Sequence, residues 1–163
     1  MSEKRLYVLA GYDDATEEKL AGWQQKVYDA GFIGTHTKNL PQHITLGSFP
    51  TEMEEELLEK VLALARDTQA FEVTFNHVGV FGGSKVLFIA PDVNHELLDL
   101  KEQFESAKGW TPHTTMLIDE PARIYEAVPI VTRNFQAFAG EVTTLHVYVF
   151  WPTRHILSVK FSY

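Results

Sequence analysis

The chain has 163 residues, enough for one domain that buries roughly 70% of its unfolded surface, and it contains no cysteine. That excludes disulfides, thiolate nucleophiles and every cysteine-based zinc motif. A formal net charge of −8 argues against an extended phosphate-tracking surface, which needs clustered Lys and Arg, while a single nucleotide or an RNA end remains an allowed partner.

Only a short apolar run, Leu6 to Ala10, lies near the N-terminus, far below a signal-peptide core or a membrane span, so a cytoplasmic protein without membrane contact is expected; a monomer is expected as well. Arg5 to Tyr12 reads as a first strand closed by Asp13 and Asp14. Asp14 with Glu17 fits a capping box for a helix carrying Leu20, Trp23, Val27 and Ala30 on one stripe, with Gly31 as its stop. A loop over 32–42 leads to a strand from Gln42 to Phe49, ended by Pro50. Thr51 and Glu54 suggest a second capping box, and Leu57, Val61, Leu64 and Ala65 form the apolar face of the helix that follows.

A long strand is expected from Phe71 to Phe81, turned by Gly82 and Gly83 into a partner strand, Lys85 to Ala90. Pro91 breaks it, Asp92 caps a helix with Leu97, Leu100 and Phe104 inside, and the chain enters another strand at His113. Asp119 and Pro121 start a further helix, and strands over roughly 138–150 and 154–162, separated by Pro152, finish the chain.

The chain repeats itself. Residues 72–81 read Glu-Val-Thr-Phe-Asn-His-Val-Gly-Val-Phe and residues 141–150 read Glu-Val-Thr-Thr-Leu-His-Val-Tyr-Val-Phe, an offset of 69. Pro-Gln-His-Ile-Thr-Leu-Gly at 41–47 is answered by Thr-Pro-His-Thr-Thr-Met-Leu at 111–117, an offset of 70 between His43 and His113. On a strand, His43 and Thr45 share one face and Ile44 and Leu46 the other; His113 and Thr115 repeat the arrangement. Two copies of one unit pack most simply about a pseudo-two-fold axis, which brings the two motif strands face to face. Two imidazoles with ordinary pKa values near 6.5, one neutral and one charged, are what transfer at a phosphodiester needs, with hydroxyls steadying the phosphate.

These residues resemble the two-histidine (2H) phosphoesterases, which include bacterial RNA 2′,3′-cyclic phosphodiesterases, the so-called 2′-5′ RNA ligases. The resemblance rests on His43-Ile44-Thr45-Leu46 and His113-Thr114-Thr115-Met116 and on the duplication around them, and it covers essentially the whole chain. It implies an α+β, bilobal duplicated fold, with antiparallel sheets flanked by helices and a groove between pseudo-symmetric lobes. It further implies phosphodiester chemistry without metal or other cofactor, carried by His43, Thr45, His113 and Thr115, on a nucleotide or RNA-terminal cyclic phosphate. Gln42 departs from the family, many members having proline there, as this chain does at Pro112. The rival of another class is a module that binds a nucleotide or RNA end and does no chemistry.

Other positions carry weaker signals. Lys85 and Arg154 stand 69 residues apart after the two hairpin turns and are candidate phosphate-binding cations; Tyr7, Tyr12, Trp110 and Trp151 are candidate base-stacking rings. His77 and His146 are also related by the repeat, but with Gly79 and Tyr148 in place of a hydroxyl they read as structural or surface residues. His95 to Asp99 is a near miss to the helical zinc motif and reads as a solvated first turn.

Overall fold

The computed structural model describes residues 4–35 and 39–162, so the part of the 32–42 loop at 36–38 lies outside the described residues. Strands β1 (Arg5–Tyr12), β2 (His43–Pro50), β3 (Phe71–Val80), β4 (Val86–Pro91), β5 (Thr114–Ile118), β6 (Phe138–Phe150) and β7 (Arg154–Lys160) form an all-antiparallel sheet. The order is β2-β1-β6-β3-β4-β5, with β7 also on β6. Among the described residues four α-helices accompany it: α1 (Asp14–Asp29), α2 (Glu54–Asp67), α3 (His95–Glu102) and α4 (Pro121–Thr132).

The fold is α+β and duplicated, and the register shows where its axis runs. β3 meets β6 with Glu72 opposite Glu141, Phe71 opposite Val142 and Val73 opposite Gly140. Glu72 and Glu141 are the repeat-related residues themselves, and an antiparallel pair that places equivalent residues opposite each other has its local two-fold between them. Each half completes the other's lobe: β6 of the second half joins β1 and β2, and β3 of the first joins β4 and β5. One sheet face is covered by helices and holds the core, with Leu6, Val8, Ile44, Leu46, Leu87, Met116 and Val147 fully or nearly fully buried. The other face, carrying His43, Thr45 and Thr115, lines the groove.

Each motif strand has a β-bulge at the residue after its Thr. Val8 pairs with Gly47 and Leu9 with Thr45, leaving Leu46 as the extra residue; Leu87 pairs with Leu117 and Phe88 with Thr115, leaving Met116. Bulges bend a strand and re-aim its neighbours. The carbonyl of each bulged residue accepts from a helix of the opposite half. Lys101 Nζ on α3 donates to the Leu46 oxygen at 2.9 Å, and Gln24 Nε2 on α1 lies 3.4 Å from the Met116 oxygen and 3.3 Å from that of Thr115. Lys101 is buried, with its ammonium 5.5 Å from the Trp110 ring centroid and 3.9 Å from Glu105.

Helix starts differ from the sequence expectation by one or two residues. Asp13, not Asp14, caps α1, its carboxylate accepting from Thr16 N, because the Glu17 carboxylate is drawn instead to the backbone of Gln42. Thr51 opens a 3-10 turn, and α2 begins at Glu54 without a side-chain cap. Asn94, not Asp92, caps α3; Asp92 is held back by Asn76 and His77, and its N–H donates to Thr74. The cap position of α4 is Glu120 rather than Asp119, with Pro121 first in the helix as expected. Ala30 is exposed at the C-cap of α1, outside the buried stripe, and Phe104 lies beyond α3, where it meets Phe49. Pro91 ends β4 as its last residue.

Replacing Lys101 with Met keeps the volume but strands the Leu46 carbonyl in the core. We expect a loss of about 1–3 kcal/mol in chemical denaturation, the cost of a buried polar group left unsatisfied; unchanged stability would remove Lys101 as the bulge's anchor.

Candidate functional site

The alternation expected of the motif strands is present. Ile44 and Leu46 are fully buried on the helix side, as are Thr114 and Met116 to within 1%, while His43, Thr45, His113 and Thr115 keep partial exposure toward the groove. A cavity of about 370 Å³ is lined by His43, Thr45, Thr115, Phe150 and Trp151, by Gln24 and Tyr28 of α1, and by the chain at 39–42.

Both imidazoles are oriented in the same way. His43 Nδ1 lies 2.7 Å from the Pro41 carbonyl and His113 Nδ1 2.9 Å from that of Thr111, two residues upstream in each case. A carbonyl only accepts, so Nδ1 carries the proton in both rings and Nε2 is the nitrogen that can take or give one. The motif strands are also tied together beneath the groove. Thr114 Oγ1 donates to the His43 carbonyl at 3.0 Å, so its single hydrogen is used, and the Tyr12 hydroxyl at 2.7 Å must donate to it.

Gln42 has a structural use that proline could not supply. Its N–H donates to both Glu17 carboxylate oxygens, and its side-chain amide donates to Gln24 Oε1 at 2.8 Å. Gln24 in turn reaches the Thr115 and Met116 carbonyls, so a chain of hydrogen bonds runs from the residue before His43 through α1 to the strand of Thr115. Burial pushes the Glu17 carboxyl up, against the lowering effect of the Gln42 N–H.

The candidate rings and cations separate. Trp151 lines the cavity, half-exposed, beside Phe150, a residue that sequence pattern did not single out. Tyr12 is buried behind His43 and supports Thr114; Trp110 packs over Lys101; Tyr7 packs on Phe150, 4.9 Å between centroids. None of these three lines the cavity. Arg154 is engaged by Glu54 at 3.1 Å and Lys85 is exposed beside the β3–β4 turn, and neither lines the cavity. The repeat places the two cations at matching chain positions, but α2 supplies a carboxylate for one of them, which draws it to the helix instead.

His77 is exposed and lies 3.8 Å from Asp92, in line with a surface role, and His95 is the exposed first residue of α3. His146, expected to be a structural or surface residue, is half-buried and lies 2.6 Å from Ser158 Oγ through Nδ1. It pairs with Leu9 on β6, its ring leans over Gly11, and Gly11 pairs with His43 on β2. A Cβ on Gly11 would collide with His146 Nε2, so only glycine admits the ring. In the second lobe the equivalent surroundings are apolar: the Phe88 ring lies over Gly79, and Phe81 and Phe88 stand 4.7 and 5.4 Å from the His113 ring.

Desolvation lowers His43, His113 and His146, of which His43 lines the cavity and the other two stand outside its lining. His43 is lowered by burial and further by nearby His113, against the Pro41 hydrogen bond; His113 is lowered by burial against that of Thr111. His146 is pushed down to about 4 by burial, then by His43 and His155. Among the described residues, no three His, Asp or Glu side chains gather closely enough to hold a metal ion, and no helix is long and apolar enough to cross a membrane.

A two-lobed antiparallel fold with paired His-x-Thr strands across a groove defines a 2H phosphoesterase. The chain belongs to the 2′-5′ RNA ligase superfamily, which it matches over residues 12–150. Its fold is similar to that of Escherichia coli LigT complexed with ATP, at 22% identity and a TM-score of 0.64 over 99% of this chain and 100% of that one. The same protein complexed with 3′-AMP aligns at 19% identity and a TM-score of 0.62 over 99% and 100% of the two chains. TT0787 of Thermus thermophilus aligns at 17% identity and a TM-score of 0.64 over 96% and 97%. Comparison with curated protein sequences gives no match.

The lowered imidazoles have a consequence for stability. A histidine whose folded-state pKa lies below its unfolded value binds fewer protons when folded, so its contribution is intact above about 6.5 and is lost as pH falls toward the folded value. We expect the urea midpoint to fall between about pH 6.5 and 4, and less steeply in His146→Asn. Parallel curves would show that His146 is not held neutral by the fold.

Proposed function

We propose that the protein is a metal-independent phosphodiesterase that opens 2′,3′-cyclic phosphates, or related 2′-linked phosphodiesters, of nucleotides or RNA ends. The observation that carries this reading is the matched pair of imidazoles, each with Nδ1 committed to a backbone carbonyl and Nε2 left for chemistry, with Thr45 and Thr115 lining the cavity beside His43. The E. coli protein of similar fold has been crystallised with 3′-AMP, ATP and phosphate, which supports a nucleotide phosphate as the ligand.

One ring takes a proton from water at Nε2 as the water oxygen bonds to phosphorus; the other gives its Nε2 proton to the ribose oxygen as the P–O bond breaks. Thr45 and Thr115 donate hydrogen bonds to the non-bridging oxygens. With a 5′-hydroxyl in place of water as the nucleophile, the same groups would join a 2′,3′-cyclic end to a second RNA end.

A resting site with lowered imidazoles holds little proton at neutral pH. The anionic phosphate offsets this, because an opposite charge nearby favours the imidazolium. Substrate thus helps to charge the acid that it needs.

His43→Ala and His113→Ala should each lower kcat on 2′,3′-cyclic AMP by about 100-fold or more in EDTA, with the melting transition retained, and the double variant should cost less than the product of the singles. Near-full activity in either single variant, or wild-type activity lost to EDTA and restored by a divalent ion, would overturn the reading. Phosphate binding without turnover would leave a binding module.

Since kcat/KM reports the free enzyme, its pH profile should be bell-shaped with its maximum on the acid side of about 6.5, the apparent values belonging to the coupled pair. A basic-side maximum would separate the activity from these lowered rings.

A further inference from the structure

The two imidazoles of the motifs are not alone on the groove face. His146 reaches it from β6, two strands from His43, with its Nε2 over the one residue of β1 that has no side chain to block it. Its Nδ1 lies 2.6 Å from Ser158 Oγ on β7, and the same oxygen lies 2.8 Å from His155 Nε2. Among the described residues His146 Nε2 has no hydrogen-bond partner, although the other end of the ring is held firmly. An imidazole fixed at one nitrogen, with the other turned over a glycine beside His43, is built to meet something in the groove.

We propose that His146 is a third substrate-contacting imidazole, presenting Nε2–H to a phosphate oxygen from the β6 side of His43, with Ser158 and His155 fixing that tautomer. The proposal rests on the phosphodiester reading of the groove and adds a residue and an orientation to it.

The hydrogen bookkeeping permits one chain that ends in a donor. In the tautomer proposed, His155 Nε2–H donates to Ser158 Oγ, the Ser158 hydroxyl donates to His146 Nδ1, and the His146 proton sits on Nε2; the contacts themselves fit either direction. Held neutral down to about pH 4, the ring offers that donor without adding a positive charge beside His43. It binds the anion without competing for the proton that the reaction moves.

The second lobe explains why this is a directional device. The repeat-related histidine, His77, is exposed and faces Asp92, and the notch over Gly79 is filled by the Phe88 ring. A donor thus stands beside His43, while rings of Phe81 and Phe88 stand beside His113. The substrate would turn a phosphate oxygen toward the first lobe and apolar surface toward the second.

The test uses the geometry of amides. Gln places its amide nitrogen near the position of imidazole Nε2, whereas the shorter Asn reaches only the Nδ1 position, where its amide can meet Ser158 but not the groove. With inorganic phosphate as the probe, side-chain NMR of the histidine nitrogens should show His146 shifting together with His43 and His113. Phosphate affinity and kcat/KM on 2′,3′-cyclic AMP should fall about 10–100-fold in His146→Asn and stay within about threefold of wild type in His146→Gln, as loss of one hydrogen bond to a charged group requires. A merely structural link to Ser158 gives the reverse order, with Asn tolerated and Gln not, and would overturn the proposal. Phosphate that moves His43 and His113 but leaves His146 unmoved would also overturn it while leaving the reading of the groove intact; if none of the three moves, both fall.

Discussion

A strand that gains one residue over its neighbour leaves part of its backbone outside the ladder, and in a core that backbone must find a partner. Both motif strands do this at the residue after the Thr, and in both the partner comes from the other half of the chain: Lys101 for Leu46, Gln24 for Met116. The consequence is mutual dependence. Neither half can present its His and Thr to the groove in this geometry without a helix of the other, just as neither lobe has a complete sheet without the exchanged β3 or β6. Two independent lobes that merely faced each other would lack these bonds; the duplication is interlocked at the residues next to the chemistry.

Symmetry at the level of backbone coexists with asymmetry at the level of side chains. The Nδ1 bonds of His43 and His113 are copies of one another, but Thr114 ties β5 to the His43 carbonyl whereas its counterpart, Ile44, is apolar and buried. Gln42 is netted into α1, whereas Pro112 has no N–H to offer. His43 has a third imidazole beside it, whereas His113 has two phenyl rings. A reaction with a distinct attacking and leaving side needs two different environments around two similar groups, and general acid–base work depends on environments that treat the two rings differently. Duplication supplied the pair, and the divergence of their surroundings supplies the difference.

What could be read in the sequence was local and periodic. Arg5–Tyr12 is strand throughout because it is a continuous run rich in Leu, Val and Tyr, and Asp13 stops it; the His-x-Thr faces followed from a period of two; the repeat mates Glu72 and Glu141, 69 apart, face each other where β3 pairs with β6. What could not be read depends on partners far away in the chain. Asp14 and Glu17 make a sound capping box by spacing, yet Glu17 is taken by Gln42, 25 residues on, and the cap moves to Asp13. Arg154 matches Lys85 by position, but Glu54, 100 residues upstream, pairs with it. His146 lacked the hydroxyl that marked the other pair, and no local signal announces that Gly11 leaves room for its ring.

The departure at position 42 shows the same principle operating on a single residue. A proline there would fix the backbone before His43 by its ring, at the cost of an N–H. Gln42 fixes the same backbone by bonds: Glu17 holds the N–H with both oxygens, and the side-chain amide engages Gln24, which holds the strand of Thr115. Burial pushes the half-buried Glu17 carboxyl up, and the Gln42 N–H works against that shift. Proline would leave that carboxylate without its donor and break the link from His43 through α1 to β5. The substitution is therefore coupled: Gln42 makes sense with Glu17 and Gln24 in place, and the rigidity that proline gives locally is here distributed over three side chains that also fasten one motif strand to the other.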